Sequence, residues 1–184
     1  MENRICKIKI GLEISTGFFC TIPFPDKKNS LPVLITNNHV IDNELLNNKH
    51  QVLSIFMKEE KDKKIFDLNN RITYTKRGYG ITIIEIKEKD NINYFLEFDD
   101  YIINDLLFEE NNNYLYEDKT IYIIQYPESE LSVSYGILEN IYMNEKYNFQ
   151  HKCCTRKGSS GSPILNINNK LIGIIKKREI IIII

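Results

Sequence analysis

The run that most constrains this chain is Gly158-Ser159-Ser160-Gly161-Ser162-Pro163, which combines two glycines, three hydroxyl side chains and a proline. Glycine permits backbone conformations that other residues avoid, and proline cannot donate to an inner strand ladder. We therefore predict a tight turn here, followed by strands at Ile164–Ile167 and Leu171–Ile175. The backbone N–H groups of such a turn can point at one spot beside a hydroxyl. An acyl-transfer enzyme needs this arrangement for its nucleophile and its oxyanion.

A second segment, Thr36-Asn37-Asn38-His39-Val40, ends a short apolar run that begins at Val33. A strand pair around Thr16–Phe19 and Val33–Ile35 is predicted to precede the histidine. With the histidine segment first and the serine segment late, the chain resembles the trypsin-like (chymotrypsin-fold) serine proteases. The resemblance covers nearly the whole chain. It implies an all-β fold of two antiparallel, six-stranded β-barrels with the site in the cleft between them.

The resemblance also implies roles for individual residues. Ser160 would be the nucleophile, and His39 would take its proton and return it to the leaving amine. The backbone N–H groups of Gly158 and Ser160 would form the oxyanion hole. The alternative interpretation is a plain Gly/Ser hairpin loop, which would be favoured in a chain without the histidine segment. His50 and His151 have no such context and are interpreted as surface or barrel-edge residues.

The acid of the triad is the point at which this chain departs from the family. The family carries an aspartate immediately before an apolar strand of the kind seen at Ile81–Ile84, and this position is Gly80 here. Neither Gly78 nor Tyr79 can replace it, and Glu85 lies too far along the strand. Loss of the acid lowers turnover by about 10⁴-fold even when the geometry survives. We therefore predict an impaired serine endopeptidase, with an inactive domain that binds peptide or a partner protein as the alternative.

The specificity pocket can be placed only by resemblance. Cys154 falls at the pocket floor, and a neutral thiol there offers no partner for lysine or arginine side chains, so a trypsin-like preference is not expected. Lys176, Lys177 and Arg178 fall at the opposite wall, where the family keeps small residues. The pocket is therefore expected to be either filled or basic.

Composition excludes several other classes of function. Lysine and arginine total 24, aspartate and glutamate total 25, and the charges are interspersed. Because nucleic-acid-binding proteins carry a basic footprint, no nucleic-acid partner is expected. No run approaches the roughly 20 apolar residues of a membrane span, so no membrane partner is expected either. The expected partner is a polypeptide substrate or a partner protein, with no cofactor.

The cysteines and the N-terminus indicate an intracellular, cytoplasmic protein. The first residues lack the apolar region of a secretory signal. Secreted members of the family usually carry a cysteine where this chain has Val40, so the four cysteines are expected to be free thiols. The sequence His151-Lys152-Cys153-Cys154 has no second cysteine pair and fits zinc spacing poorly, so no metal is expected.

We predict one protease domain made of residues 1–105, the barrel that carries the histidine, and residues 106–184, the barrel that carries the serine. A helical turn is expected at Asp42–Asn48. Five isoleucines follow Glu179. They could form a last strand, although the family continues further with pocket residues and a terminal helix, so the second barrel is expected to be truncated at its C-terminus.

Overall fold

The computed structural model describes residues 1–26, 28–48, 52–58, 62–99, 118–141, 148–176 and 179–181. Within these ranges nearly all regular structure is β. The strands and the one α-helix of the described residues are β1 (Ile5–Ile10), β2 (Glu13–Pro23), β3 (Ser30–Asn37), α1 (Asn43–Asn47), β4 (Val52–Phe56), β5 (Lys63–Asp67), β6 (Thr73–Lys76), β7 (Ile81–Glu85), β8 (Thr120–Gln125), β9 (Ser132–Ile141), β10 (Asn148–His151), β11 (Pro163–Asn166), β12 (Leu171–Lys176) and β13 (Glu179–Ile181).

The first seven strands form one antiparallel sheet in the order β5-β4-β1-β2-β3-β7-β6. The sheet curls into a half-barrel, as the family resemblance implies. It differs from the expected six-stranded barrel because it has seven strands, and no ladder joins its described edge strands β5 and β6. Strand β3, which leads to His39, lies between β2 and β7 and is buried on both sides along its second half.

A buried ion pair links the ends of strands in this open sheet. The Arg71 guanidinium bonds to both carboxylate oxygens of Asp90 at 2.6 and 2.7 Å, and the two side chains are 1% and 4% exposed. Arg71 also donates to the carbonyl oxygens of Asp67 at 2.6 Å and Glu85 at 2.9 Å. These residues end β5 and β7, so the guanidinium connects strands that no ladder pairs.

The second sheet is a closed barrel in the order β10-β13-β12-β11-β8-β9. The last strand, Glu179–Ile181, pairs with both β10 and β12. The isoleucine-rich tail therefore supplies the sixth strand of the barrel, and the expected truncation does not remove a strand from it.

Strand β9 runs without a break through Gly136. The backbone around Gly136 packs so closely on the segment after β10 that an added Cβ would lie 2.7 Å from the amide nitrogen of Cys153. Glycine is therefore needed at this position for close approach rather than for a turn.

One apolar cluster joins the two sheets. It combines Phe18 and Ile35 of the first sheet with Leu171 and Ile174 of the second, all fully buried. Tyr126, 2% exposed, lies among them and donates its hydroxyl hydrogen to the Met57 carbonyl at 2.8 Å. Burial raises the pKa of this hydroxyl to about 12. Because the cluster is shared, the position of each sheet depends on the other.

The predicted helical turn is confirmed as α1, whose N-cap Asp42 accepts a hydrogen bond from the Leu45 amide at 2.9 Å. The predicted boundary between residues 105 and 106 lies outside the described residues. In the described part of the chain, no helix has the length and apolar character required to cross a membrane.

Candidate active site

His39 lies in a turn that directly follows β3, and its side chain is exposed. The Asn37 carbonyl accepts hydrogen bonds from the amides of Val40 at 3.0 Å and Ile41 at 3.1 Å. Ile41 is fully buried, so it anchors the far side of the turn in the core. The backbone on both sides of the histidine is therefore held by the end of a buried strand.

Gly80, where the family resemblance predicts the acid, lies beside this turn. Its carbonyl oxygen accepts from the Asn38 amide at 3.0 Å and from Asn37 Nδ2 at 3.1 Å. A carbonyl oxygen has two lone pairs, so both are engaged. The Glu85 carboxylate accepts from the Ile72 amide at 2.9 Å, and this bond holds it at the other end of β7. Position 80 therefore supplies a backbone dipole to the histidine turn and no carboxylate.

The three serines of the glycine-rich loop have different environments. Ser159 is 1% exposed, and its Oγ accepts a hydrogen bond from the Arg156 amide at 2.9 Å. Ser162 is fully buried, and its Oγ has no hydrogen-bond partner among the described residues. Ser160 is half-buried. Of these three serines, only Ser160 is not buried.

The amides of Ser159, Gly161 and Ser162 donate hydrogen bonds within the protein. The Ser159 amide donates to the Arg156 carbonyl at 3.0 Å, and the Gly161 amide donates to the Ile175 carbonyl at 3.0 Å. These bonds tie the loop to its own first turn and to β12.

The amides of Gly158 and Ser160 belong to two other peptide groups of the loop. Neither amide donates a hydrogen bond to any described residue. The carbonyl and N–H of a trans peptide point in opposite directions. The Lys157 carbonyl accepts from the Glu128 amide at 2.9 Å, and the Ser159 carbonyl accepts from the amide three residues further on at 3.1 Å. The hydrogen bonds to the two carbonyl oxygens therefore fix the orientation of both peptide groups, and their N–H groups remain available to a ligand.

Both glycines of the loop are required by its backbone. Gly158 has φ +99°, and an added Cβ would lie 2.4 Å from the Tyr126 carbonyl oxygen. Gly161 has φ +84°, and its Cβ would lie 2.1 Å from the Thr16 carbonyl oxygen. Any side chain at either position would force the loop to move.

The serine loop and the histidine strand meet at Thr16 of β2. The Thr16 amide donates to the Ser160 carbonyl at 2.9 Å. The Thr16 carbonyl accepts from Thr36 Oγ1 at 2.9 Å. Thr36 lies on β3, three residues before His39 in the sequence. The structure therefore brings the two predicted segments into contact through Thr16, which the sequence placed in a strand without assigning it a role at the site.

The residues assigned to the specificity pocket are only partly described. Cys154 is exposed, its amide donates to Ser134 Oγ at 2.8 Å, and its carbonyl accepts from Gln125 Nε2 at 3.0 Å. Lys176 ends β12 and is half-buried, whereas Lys177 and Arg178 lie outside the described residues.

The other two histidines lie outside the serine loop. His50 lies outside the described residues, and His151 ends β10 with its Nδ1 accepting from the Cys153 amide at 3.1 Å. Burial lowers the pKa of His151, because it disfavours the charged imidazolium. Cavities of about 300 and 210 Å³ lie beside Arg71 and Arg4 respectively, and the serine loop lines neither.

The four thiols differ enough in exposure to allow a direct test. Cys6, Cys20 and Cys153 are buried, and Cys154 is exposed. Burial raises the pKa of Cys6 and Cys20 above the ordinary value and that of Cys153 to about 11. Since the thiolate is the reactive form, we expect a maleimide to modify Cys154 alone in the folded protein. Intact-mass spectrometry should then count four reactive thiols after denaturation without reductant. A count of two would mean that a disulfide forms and that the predicted compartment is wrong.

Several solved protease structures share this fold. The Rv3671c protease of M. tuberculosis in its inactive form shares 12% identity with a TM-score of 0.66, over 98% of this chain and 84% of that chain. Deg5 shares 15% identity with a TM-score of 0.67, over 99% of this chain and 84% of that chain. A human pathogenic astrovirus serine protease shares 15% identity with a TM-score of 0.64, over 100% of this chain and 91% of that chain. At these identities the likeness concerns the fold.

The family is shown by the sequence itself. No curated protein sequence matches this chain. The family model of the trypsin-like peptidase domain matches residues 16–174, a span that includes the histidine turn, Gly80 and the serine loop. This chain therefore belongs to the trypsin-like peptidase domain family.

Proposed function

We propose that this domain is a serine endopeptidase of low turnover, with Ser160 as nucleophile and His39 as general base. One observation carries the proposal. Of the three serines in the loop, Ser160 alone is accessible, and the open amides of the loop are its own and that of Gly158. A plain hairpin loop has no need to leave two oriented N–H groups without partners.

In the proposed reaction, Ser160 Oγ attacks the scissile carbonyl while its proton passes to His39. The amides of Gly158 and Ser160 donate to the oxyanion of the tetrahedral intermediate, and one such donor is worth about 10²–10³ in turnover. His39 then protonates the leaving amine, and water hydrolyses the acyl-enzyme by the reverse sequence of proton transfers. By the family resemblance Cys154 and Lys176 would line the side-chain pocket, and the neutral Cys154 thiol would offer no partner for a lysine or arginine side chain of the substrate.

Gly80 is the reason that we propose a low turnover. A carboxylate at this position would stabilise the imidazolium that forms with the intermediate, and its loss lowers turnover by about 10⁴-fold. The backbone carbonyl found there carries no net charge, and its lone pairs are already engaged. The same observation favours a second candidate function, namely a non-catalytic domain that binds peptide or a partner protein in the cleft.

Covalent labelling separates the two candidates. We expect a small fluorophosphonate to modify the folded protein once, and peptide mapping should place the adduct on Ser160. Ser160→Ala should remove labelling. Ser162→Ala should retain it, because the Ser162 hydroxyl makes no hydrogen bond to the described residues. A folded wild-type protein that is never labelled, yet binds peptides, would instead support the binding domain.

A further inference from the structure

Thr16 makes four hydrogen bonds, and three of them cross from the first sheet to the second. Its Oγ1 donates to the Gly158 carbonyl at 2.8 Å and accepts from the Tyr126 amide at 3.0 Å. Its own amide donates to the Ser160 carbonyl at 2.9 Å. The side chain is fully buried, so water cannot replace these partners. The fourth bond, from Thr36 Oγ1, ties the same residue to the strand that carries His39.

These bonds fall on the peptide groups that flank the nucleophile. The group between Gly158 and Ser159 is held by Thr16 Oγ1 at its carbonyl and by the Arg156 carbonyl at its N–H. The group between Ser160 and the next residue is held by the Thr16 amide at its carbonyl and by β12 at its N–H. The peptide group between them carries the open Ser160 amide. Thr16 therefore holds the loop on both sides of that amide.

We propose that Thr16 is a positioning residue for the oxyanion loop, and this inference rests on the proposed function. The Thr16 hydroxyl fixes the Gly158–Ser159 peptide group, and rotation of that group would turn both neighbouring amides away from the oxyanion. Because the donors act on charge that develops only in the transition state, the effect falls on turnover rather than on substrate binding.

Thr16→Val removes the hydroxyl at nearly constant volume. A misplacement of about 1 Å in a reacting geometry can cost roughly 10²-fold, so we expect fluorophosphonate acylation and kcat to fall by about 10²-fold, with KM changed less than about threefold. Thr16→Ser keeps the hydroxyl and should restore most of the rate. Should Thr16→Val fail to fold, Thr16→Ala gives the same test, with a loss in the same direction.

Tyr126→Phe is the matched control. It removes another buried hydroxyl that bonds between the sheets, at the Met57 carbonyl and away from the serine loop. We expect it to lower the melting temperature as much as Thr16→Val while leaving the acylation rate nearly unchanged. Equal losses of rate in the two folded variants would overturn the proposal, because Thr16 would then act only through general stability.

Amide hydrogen exchange tests the same inference without catalysis. Loss of the Thr16 hydroxyl should speed exchange of the Ser159 amide about tenfold, the change expected for one lost hydrogen bond. The Gly161 amide should change little, because its peptide group is held by the Thr16 backbone. Unchanged Ser159 exchange in Thr16→Val would overturn the positioning role. If wild type fails to acylate but Ser159 exchange responds as expected, the proposed function fails and the positioning role stands.

Discussion

Replacing Gly80 by aspartate should raise the turnover number of this domain by up to about 10⁴-fold, equivalent to about 5 kcal/mol of transition-state stabilisation. A carboxylate beside the histidine turn does little for bound substrate. It stabilises the imidazolium that forms together with the tetrahedral intermediate, so the gain should appear in kcat rather than KM. The carbonyl bonds of Gly80 to the histidine turn are made by the backbone and survive the substitution.

The backbone at position 80 limits how much of this gain is recovered. Gly80 has φ +65°, in the left-handed region. An L-residue there costs about 1–2 kcal/mol, and aspartate and asparagine adopt this region more readily than other side chains. We therefore expect a lower melting temperature in the same variant that gains activity.

Gly80→Asn is the matched control, because it has nearly the same shape and the same backbone preference without the charge. Wild type, Gly80→Asp and Gly80→Asn should be compared on one peptide library. Only the aspartate variant should gain turnover, and the gain should fade as pH drops below the pKa of the new carboxylate. If wild type already cleaves briskly and Gly80→Asp changes nothing, another group orients His39 and our interpretation of Gly80 is wrong.

Asp90→Ala should lower the free energy of unfolding by about 3–5 kcal/mol, because it leaves the Arg71 guanidinium buried without its counter-charge. The Arg71 side chain is 1% exposed and also holds the ends of β5 and β7. Urea denaturation measures this change directly. An Arg71→Met, Asp90→Leu double variant should lose less stability than Asp90→Ala, since it leaves no uncompensated charge.

Glu97→Ala is the control for the ion pair, since the Glu97–Lys170 pair is exposed. The side chains of Glu97 and Lys170 are 75% and 34% exposed, and surface pairs contribute about 0–1 kcal/mol. Equal costs for Asp90→Ala and Glu97→Ala would contradict the role of the buried Arg71–Asp90 pair in connecting β5 and β7.

The pH dependence of stability gives a second measurement on Asp90. Burial by itself raises the pKa of this carboxyl, but hydrogen bonds from Arg71 and from the Lys87 amide outweigh it, so the net pKa is lowered. A carboxyl whose pKa is lowered in the folded state stabilises the protein at every pH above its unfolded-state pKa of about 3.9. This stabilisation is lost as the pH falls through the folded-state pKa. Wild type should lose this part of its stability in acid, and Asp90→Ala should lack it at every pH.

The sequence alone was enough to predict the family, the all-β architecture and the segments that carry the candidate site. These features depend on short-range chemistry. The glycine-rich run at Gly158–Pro163 cannot be a regular strand, and the alternating apolar runs around it favour strands. The tail at Glu179–Ile181 was left open between a last strand and a truncated barrel, because its pairing with β10 and β12 depends on residues far away in the chain.

Only the tertiary structure could decide which parts of the loop are open. Three serines with the same side chain differ in burial because Thr16, more than 140 residues away by sequence, holds the loop against the first sheet. A lone threonine in a strand gives no local signal of this role. The same holds for the Arg71–Asp90 pair and for Gly136, whose importance comes from partners that the fold brings near. Local composition predicts strands and turns, whereas the choice of hydrogen-bond partner across two sheets depends on how the shared core orients them.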